Sequence, residues 1–98
     1  MTLEEFVQSV EADPLPPEHL PDELRSLWLA KNGKWFEAHE IAQDIDTPMG
    51  SWIHAHLHLI EGDLSNAGYW YRRAGKPAST PDRIEEEWME ISTAAAGN

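Results

Sequence analysis

The chain carries five histidines, and four of them fall between residues 39 and 58. His54, His58 and Glu61 are spaced four and three apart, so on a helix they lie on one stripe, within roughly 20–40° of each other around the axis. His56 points roughly the other way. Imidazole and carboxylate groups at this spacing are suited to binding a metal, and histidine also serves in acid–base catalysis because it titrates near neutrality.

A second segment, His39-Glu40, lies upstream of a short connection. Thr47-Pro48 predicts the start of a helix, so the helices on either side of it are expected to run antiparallel. Counting outward from this turn places His39 level with about residue 54. We therefore predict that five side chains converge along one seam between the two helices: His39, Glu40, His54, His58 and Glu61. If the seam holds a divalent metal, the ligands are expected among His54, His58, Glu61 and His39.

Two other interpretations of the seam stay open. The histidines would be core residues if each ring nitrogen bonds a carboxylate, a tyrosine or a carbonyl group, with Glu61 capping its helix or pairing with Arg72 or Arg73. They would alternatively perform acid–base catalysis. The zinc motif His-Glu-x-x-His is absent, because Ile41-Ala42-Gln43 follows His39-Glu40. Glycine-rich phosphate loops and nucleophile elbows are also missing, so the sequence leans away from an enzyme.

Tryptophan is unusually frequent, with five in 98 residues. Each lies on or beside an apolar stripe, so a core position is predicted for all of them. The alternative is a groove that binds a peptide or a flat ligand, lined by Trp52, Tyr69 and Trp70. The run Glu85-Glu86-Glu87 is predicted to form a solvated helix face with no function.

Composition limits the classes of function. Hydrophobic residues make up 41% of the chain, which is typical of a folded domain, and cysteine is absent. The formal net charge of −11 disfavours nucleic-acid binding and favours a basic partner. The N-terminal residues lack a signal-peptide pattern, and no run approaches the roughly 18 apolar residues of a membrane span. We expect a cytoplasmic protein.

Helical periodicity predicts an all-α fold of about six helices in a single domain, residues 1–98. A first helix over 3–11 precedes a proline-rich connector over 12–20, whose Leu15 is expected to pack onto the core. The following two-hairpin core over 21–75 contains helices from Pro21 to Asn32-Gly33, over 34–45, over 48–61 and over 64–74. Residues 76–98 form a C-terminal capping helix that opens at Thr80-Pro81, and a tail from Thr93 that frays. The fourth helix is apolar nearly all round and is predicted to be central.

The core contains an internal repeat. The turns at Gly33 and Gly62 are 29 residues apart, and downstream of them Ala38 matches Ala67 and Ala42 matches Tyr71. This pattern resembles the tetratricopeptide repeat, in which a Gly-Asp turn is followed by small, aromatic and small residues. The resemblance covers about residues 21–76 and implies two antiparallel hairpins. Because the period is shorter than the usual 34 residues and only two units are present, the first and last helices are expected to cap them.

Two further resemblances concern the histidine segments. Gly33-Lys34-Trp35-Phe36-Glu37-Ala38-His39-Glu40 resembles the glycine–aromatic–aromatic–Glu–x–His–Glu motif of a family of small helical prokaryotic proteins of unknown function, and His58 matches its second helix. The string from Trp52 to Gly75 is similar to other small bacterial proteins with a Trp-x-His-Ala…Glu-Gly-Asp…Tyr-Trp-Tyr-x-Arg-Ala-Gly pattern. Both resemblances imply a fold and a candidate surface but no activity.

Three functions are compatible with these features. The sequence favours a module that binds a protein or peptide, with a basic partner matching the acidic surface. The alternative is a small metal- or ligand-binding protein that uses the histidine seam. A homodimer formed through exposed tryptophans is the third.

Overall fold

The computed structural model describes residues 1–97, which form six α-helices and no strand. The helices are α1 (Leu3–Ala12), α2 (Asp22–Lys31), α3 (Trp35–Gln43), α4 (Pro48–Glu61), α5 (Leu64–Ala74) and α6 (Ile84–Ala95). A short 3-10 turn, Pro81–Arg83, precedes α6. The prediction of an all-α fold of about six helices is confirmed.

Local sequence explains where several helices begin and end. The N-cap of α1 is Thr2, whose hydroxyl accepts from the Glu5 amide while the Glu5 carboxylate accepts from the Thr2 amide. The N-cap of α4 is Thr47, which accepts from the Gly50 amide at 3.1 Å. α4 ends at Gly62, which has a φ of 85° in the left-handed region where glycine is favoured. These caps fix the length of α4 and so the register of its histidines.

The helices are arranged around α4. Three residues join α2 to α3 and two residues join α4 to α5, so each pair packs as an antiparallel hairpin. α4 also packs against α3, α2 and α6. Eight of its 14 residues are buried, which follows from its apolar sequence. A side chain on α4 therefore faces one of several neighbouring helices according to its position around the axis.

The first and last helices lie beside each other. The ring of Phe6 on α1 stacks on Trp88 of α6 with centroids 5.8 Å apart, and Trp88 donates its indole N–H to the Leu27 carbonyl at 2.8 Å. α6 packs against both α2 and α4. These helices flank the two hairpins in chain order, but in space α6 lies across both hairpins instead of closing one end.

Two local predictions are wrong. Leu15 is 73% exposed and does not pack onto the core; it lines a surface cleft together with Pro14 and Pro16, the prolines on either side of it. The chain is helical through Ala95, so Thr93 belongs to α6 and not to a frayed tail. Asn98, the last residue of that predicted tail, lies outside the described residues. Among residues 1–97 no helix has the length and hydropathy needed to cross a membrane.

Candidate metal site between α3 and α4

Three histidines meet between α3 and α4. His39 comes from α3, while His54 and His58 come from successive turns of α4. The Nε2 atoms of His39 and His54 are 3.0 Å apart, and one ligating nitrogen from each of the three rings lies within 4.8 Å of the others. His54 and His58 are each 6% exposed. We call His39, His54 and His58 the histidine triad.

The short turn between α3 and α4 determines which residues of the two helices lie opposite each other. Gly50, in the first turn of α4, lies against Ile45, and a Cβ placed on Gly50 would be 2.1 Å from the Ile45 carbonyl oxygen. Any side chain at this position would therefore push the end of α3 away from α4. Because the two helices approach closely here, His39 lies level with His54, as counting from the turn predicts.

Glu61 fixes the orientation of the His58 ring. Its Oε1 lies 2.6 Å from His58 Nδ1, one helical turn along α4. A carboxylate only accepts hydrogen bonds, so His58 Nδ1 carries the proton of this bond, and Nε2 is the nitrogen left for a metal. A carboxylate bonded to the far nitrogen is the usual arrangement around a histidine that binds a metal.

Two indole rings hold the other members of the triad. Trp35 stacks on His39 with centroids 4.8 Å apart, and its N–H donates to the Leu57 carbonyl at 2.7 Å. Trp70 stacks on His54 at 3.9 Å. The two rings are thus held by aromatic stacking, which leaves their nitrogens free to face each other.

Two members of the triad, His39 and His54, resist protonation. Burial, followed by the nearby His39 and His58, lowers the pKa of His54 to about 4. Burial and His58 also lower the pKa of His39, although Glu61 and Glu40 act in the opposite direction. Both rings are therefore neutral at pH 7, and a neutral imidazole is the form that binds metals.

The remaining predicted site residues lie elsewhere. Glu40 is exposed and lines a cleft beside the proline-rich connector, so it does not join the triad. Tyr69 is 45% exposed and packs edge-on against Trp70. Trp52 lies under the ammonium group of Lys76, 4.2 Å from the ring centroid, and lines a different cleft. Trp70 thus supports the triad, whereas Trp52 belongs to another cluster.

That other cluster was missed by the sequence analysis. Glu87, predicted to be solvated, is 3% exposed, and its carboxylate accepts from His56 Nδ1 at 2.6 Å and from the Tyr71 hydroxyl at 2.7 Å. The Trp52 indole N–H donates to it at 3.3 Å. We call His56, Glu87, Tyr71 and Trp52 the Glu87 network. Burial is the largest influence on Glu87 and raises its pKa, but the hydrogen bonds from His56 and Tyr71 outweigh it and lower the pKa below its usual range.

A signal for Glu87 was present in the sequence. It lies three residues after Ile84 and four before Ile91, which places it on the apolar stripe of α6 and not on the opposite face. Glu85 and Glu86 are exposed, as predicted. A charged residue on an apolar stripe predicts a buried partner, and the aromatic and histidine residues of α4 and α5 supply it.

The triad has dimensions suited to a tetrahedral metal ion. Two nitrogens that each lie about 2.0–2.1 Å from zinc at tetrahedral angles are roughly 3.3 Å apart. The 3.0 Å between His39 Nε2 and His54 Nε2 is close to this separation. Three histidines and an open fourth position form the ligand set of several zinc enzymes.

Comparison with known proteins gives no further guide. No family model matches the sequence, and neither the curated proteins nor the solved structures include a match. The tetratricopeptide resemblance and the two motif resemblances therefore stay predictions.

Proposed function

We propose that the protein binds a divalent transition-metal ion, with zinc the best fit, through His39, His54 and His58. The observation that carries this proposal is the meeting of three imidazole nitrogens within 4.8 Å of one another. Glu61 is proposed as the outer partner that orients His58, rather than as a ligand.

The count of hydrogen-bond donors and acceptors in the triad supports binding of a cation. A neutral imidazole has one donor and one acceptor, and the His58 donor is already used by Glu61. In the 3.0 Å contact between His39 and His54, one Nε2–H donates to the other Nε2. The inner side of the triad therefore holds more acceptors than donors. A metal ion would accept electron pairs from all three rings, after the ring that donates has moved its proton to Nδ1.

Ligand chemistry favours zinc over magnesium or calcium. Imidazole suits zinc, copper, nickel and iron, whereas magnesium and calcium prefer oxygen ligands. Zinc accepts a tetrahedral site without a geometric penalty. The formal net charge of −11 would also raise the local concentration of cations around the protein.

Isothermal titration of the metal-free protein with zinc chloride tests the proposal. We expect one ion per chain and a micromolar or tighter Kd. His54→Gln should weaken binding by more than the roughly 10–100-fold that loss of an outer partner causes. His19→Gln is the matched control, because His19 is exposed and far from the triad in the sequence.

Two results would overturn the proposal. One is the absence of zinc, copper and nickel binding by a folded wild-type protein. The other is zinc binding that is unchanged in His54→Gln and His58→Gln but is lost in His19→Gln. In either case the triad would be a structural cluster.

A second function, binding of a peptide, is favoured by a different observation. A cleft of about 530 Å³ lies between the proline-rich connector and the α2–α3 hairpin, with Leu29 and Ile41 in its wall. Leu15 and Phe36 line it and are 73% and 78% exposed. Exposed apolar side chains around a cleft are typical of an interaction site. We propose as occupant a short peptide with an aliphatic anchor and basic flanks, which the acidic chain would attract.

Fluorescence anisotropy with labelled peptides tests this second proposal. A leucine-containing, arginine-flanked peptide should bind more weakly to Phe36→Ser and equally well to Leu64→Ser, since Leu64 is 55% exposed outside the cleft. Equal binding to both variants would contradict it. The tetratricopeptide-like stacking of the two hairpins remains part of this proposal, since that architecture commonly presents binding surfaces.

A further inference from the structure

A second pocket lies between α2, α4 and α6, and no residue of the triad lines it. Its volume is about 240 Å³. Its walls are apolar and come from all three helices: Ala30, Ile60, Ile84 and Trp88. An apolar cavity of roughly 150 Å³ is enough to hold a benzene ring. This pocket is therefore large enough for a ligand with one aromatic ring.

His56 supplies a polar group to this pocket. Its side chain lines the pocket and is fully buried. Its Nδ1 is held by Glu87 at 2.6 Å, whereas its Nε2 has no hydrogen-bond partner among residues 1–97. His56 lines the pocket, and Nε2 is its one ring nitrogen that Glu87 does not hold. A buried ring nitrogen without a partner is unfavourable, and a hydrogen-bonding ligand would remove that cost.

The rim of the pocket is electrically balanced. Lys31 and Glu85 form an ion pair at its edge, with Nζ and Oε1 3.3 Å apart. The Lys31 ammonium also lies 5.3 Å from the centroid of the Trp88 ring. Both charged side chains are long, and that of Glu85 is 88% exposed, so they can move aside without disturbing the helices. A balanced rim over apolar walls favours a neutral ligand over a charged one.

We propose that this pocket binds a small, neutral, mainly apolar molecule that carries one hydroxyl group and hydrogen-bonds to His56 Nε2. A hydroxyl group both donates and accepts, so it can pair with this nitrogen in either state of the ring. The ring of the ligand would lie among Ile60, Ile84 and Trp88. The proposal is independent of metal binding, because His56 and the triad lie on different faces of α4.

Phenol is the probe, with toluene as the matched molecule that lacks a hydroxyl. Amide spectra recorded during titration should show shifts at Ala30, Ile60 and Trp88, and long-range ¹H–¹⁵N spectra should show a shift at His56 Nε2. Phenol is expected to bind about tenfold more tightly than toluene, the factor for one hydrogen bond of typical strength. Ile60→Trp fills the pocket and should abolish binding, while Leu64→Trp, outside the pocket, should leave it unchanged.

Three results would overturn the proposal. They are the absence of phenol binding up to its solubility limit, equal affinity for phenol and toluene, and phenol binding that survives Ile60→Trp. Because Ile60 is 37% exposed and forms no part of the Glu87 network, this variant is expected to fold. A His56→Phe variant is the supporting test, and in it the preference for phenol over toluene should disappear.

Discussion

α4 carries two histidine clusters on different faces, and they are built on opposite principles. In the Glu87 network, His56, Tyr71 and Trp52 supply three donors to one buried carboxylate. In the triad, His39, His54 and His58 bring acceptors together, with a single carboxylate at the periphery. Both clusters are largely buried and both are flanked by tryptophan.

The contrast separates a structural role from a binding role. A buried network in which three donors converge on one carboxylate stabilises one packing of the helices, here that of α6 against α4 and α5. The triad brings imidazole lone pairs together, and the pKa of His39 and of His54 is lowered. Such a cluster gains little from its own contacts but is suited to binding a cation. His54 and His56 are only two residues apart, but the same substitution is thus expected to destabilise the metal-free protein more at His56 than at His54.

The largest expected effect is on the Glu87 network. Glu87→Ala leaves the donors of His56, Tyr71 and Trp52 without their acceptor and should lower the free energy of unfolding by about 2–6 kcal/mol, roughly 1–3 kcal/mol for each of the two buried donors, His56 and Tyr71. Urea denaturation measures it. Glu86→Gln is the control, since the exposed pair that Glu86 forms with Arg83 is worth about 0–1 kcal/mol. Equal losses of unfolding free energy in the two variants would mean that buried Glu87 contributes no more to stability than exposed Glu86.

Substituting the neighbouring histidines sharpens the contrast. His56→Gln should cost about 1–3 kcal/mol, because the Glu87 carboxylate loses its closest donor. His54→Gln in the metal-free protein should cost about 1 kcal/mol or less, mainly the stacking on Trp70. Metal-free samples and the same urea assay allow direct comparison. A greater loss for His54→Gln would assign the structural role to the triad.

A change outside the triad should alter binding without altering stability. Glu61→Gln keeps the size of the side chain but weakens its hold on His58, so zinc affinity is expected to fall about 10–100-fold. The free energy of unfolding of the metal-free variant should change by less than about 1 kcal/mol, since the Glu61 side chain is 38% exposed. Titration calorimetry and urea denaturation give the two values. Unchanged affinity would show that Glu61 does not position a metal ligand.

The last expected effect is a pH dependence of the metal-free protein. The pKa of His54 is about 4 in the folded state and near 6.5 unfolded, so the unfolded chain binds more protons between these values. The stability contributed by neutral His54 is complete above about pH 6.5 and declines toward pH 4, with a slope of at most about 1.4 kcal/mol per pH unit. His39 acts in the same direction.

Urea unfolding at a series of pH values from 7 to 4 measures this slope. His54→Gln should flatten it, whereas the loss that Glu87 causes on protonation should appear only at lower pH and persist in that variant. A wild-type protein whose stability is constant between pH 7 and 5 would show that the triad is not held neutral by the fold.

Much of the fold was predictable because its signals are local. Thr2, Thr47, Gly62 and Gly75 mark helix ends through caps and left-handed turns that depend on neighbouring residues alone. The seam was also predictable in outline, because helical spacing places His54 with His58, and a short turn places His39 opposite them. The exposure of Glu40 could also have been predicted, since adjacent side chains on a helix point about 100° apart and His39 and Glu40 do not both face the seam.

The Glu87 network depends on tertiary packing that the sequence does not encode locally. The partners of Glu87 lie 16, 31 and 35 residues away, and they meet only because α6 folds back across both hairpins. The acidic run Glu85-Glu86-Glu87, considered alone, predicts exposure to solvent. The apolar stripe of α6 would have indicated that Glu87 is buried. The identity of the residues that donate to its carboxylate follows only from the arrangement of the helices.

Anomalous diffraction from crystals of the zinc-loaded protein, recorded on both sides of the zinc absorption edge, tests the metal proposal most directly. We predict one strong peak per chain, about 2.0–2.1 Å from one ring nitrogen of each of His39, His54 and His58, with Glu61 still bonded to His58 Nδ1. A peak at other residues, or ordered histidines without a peak in crystals soaked in zinc, would contradict the account.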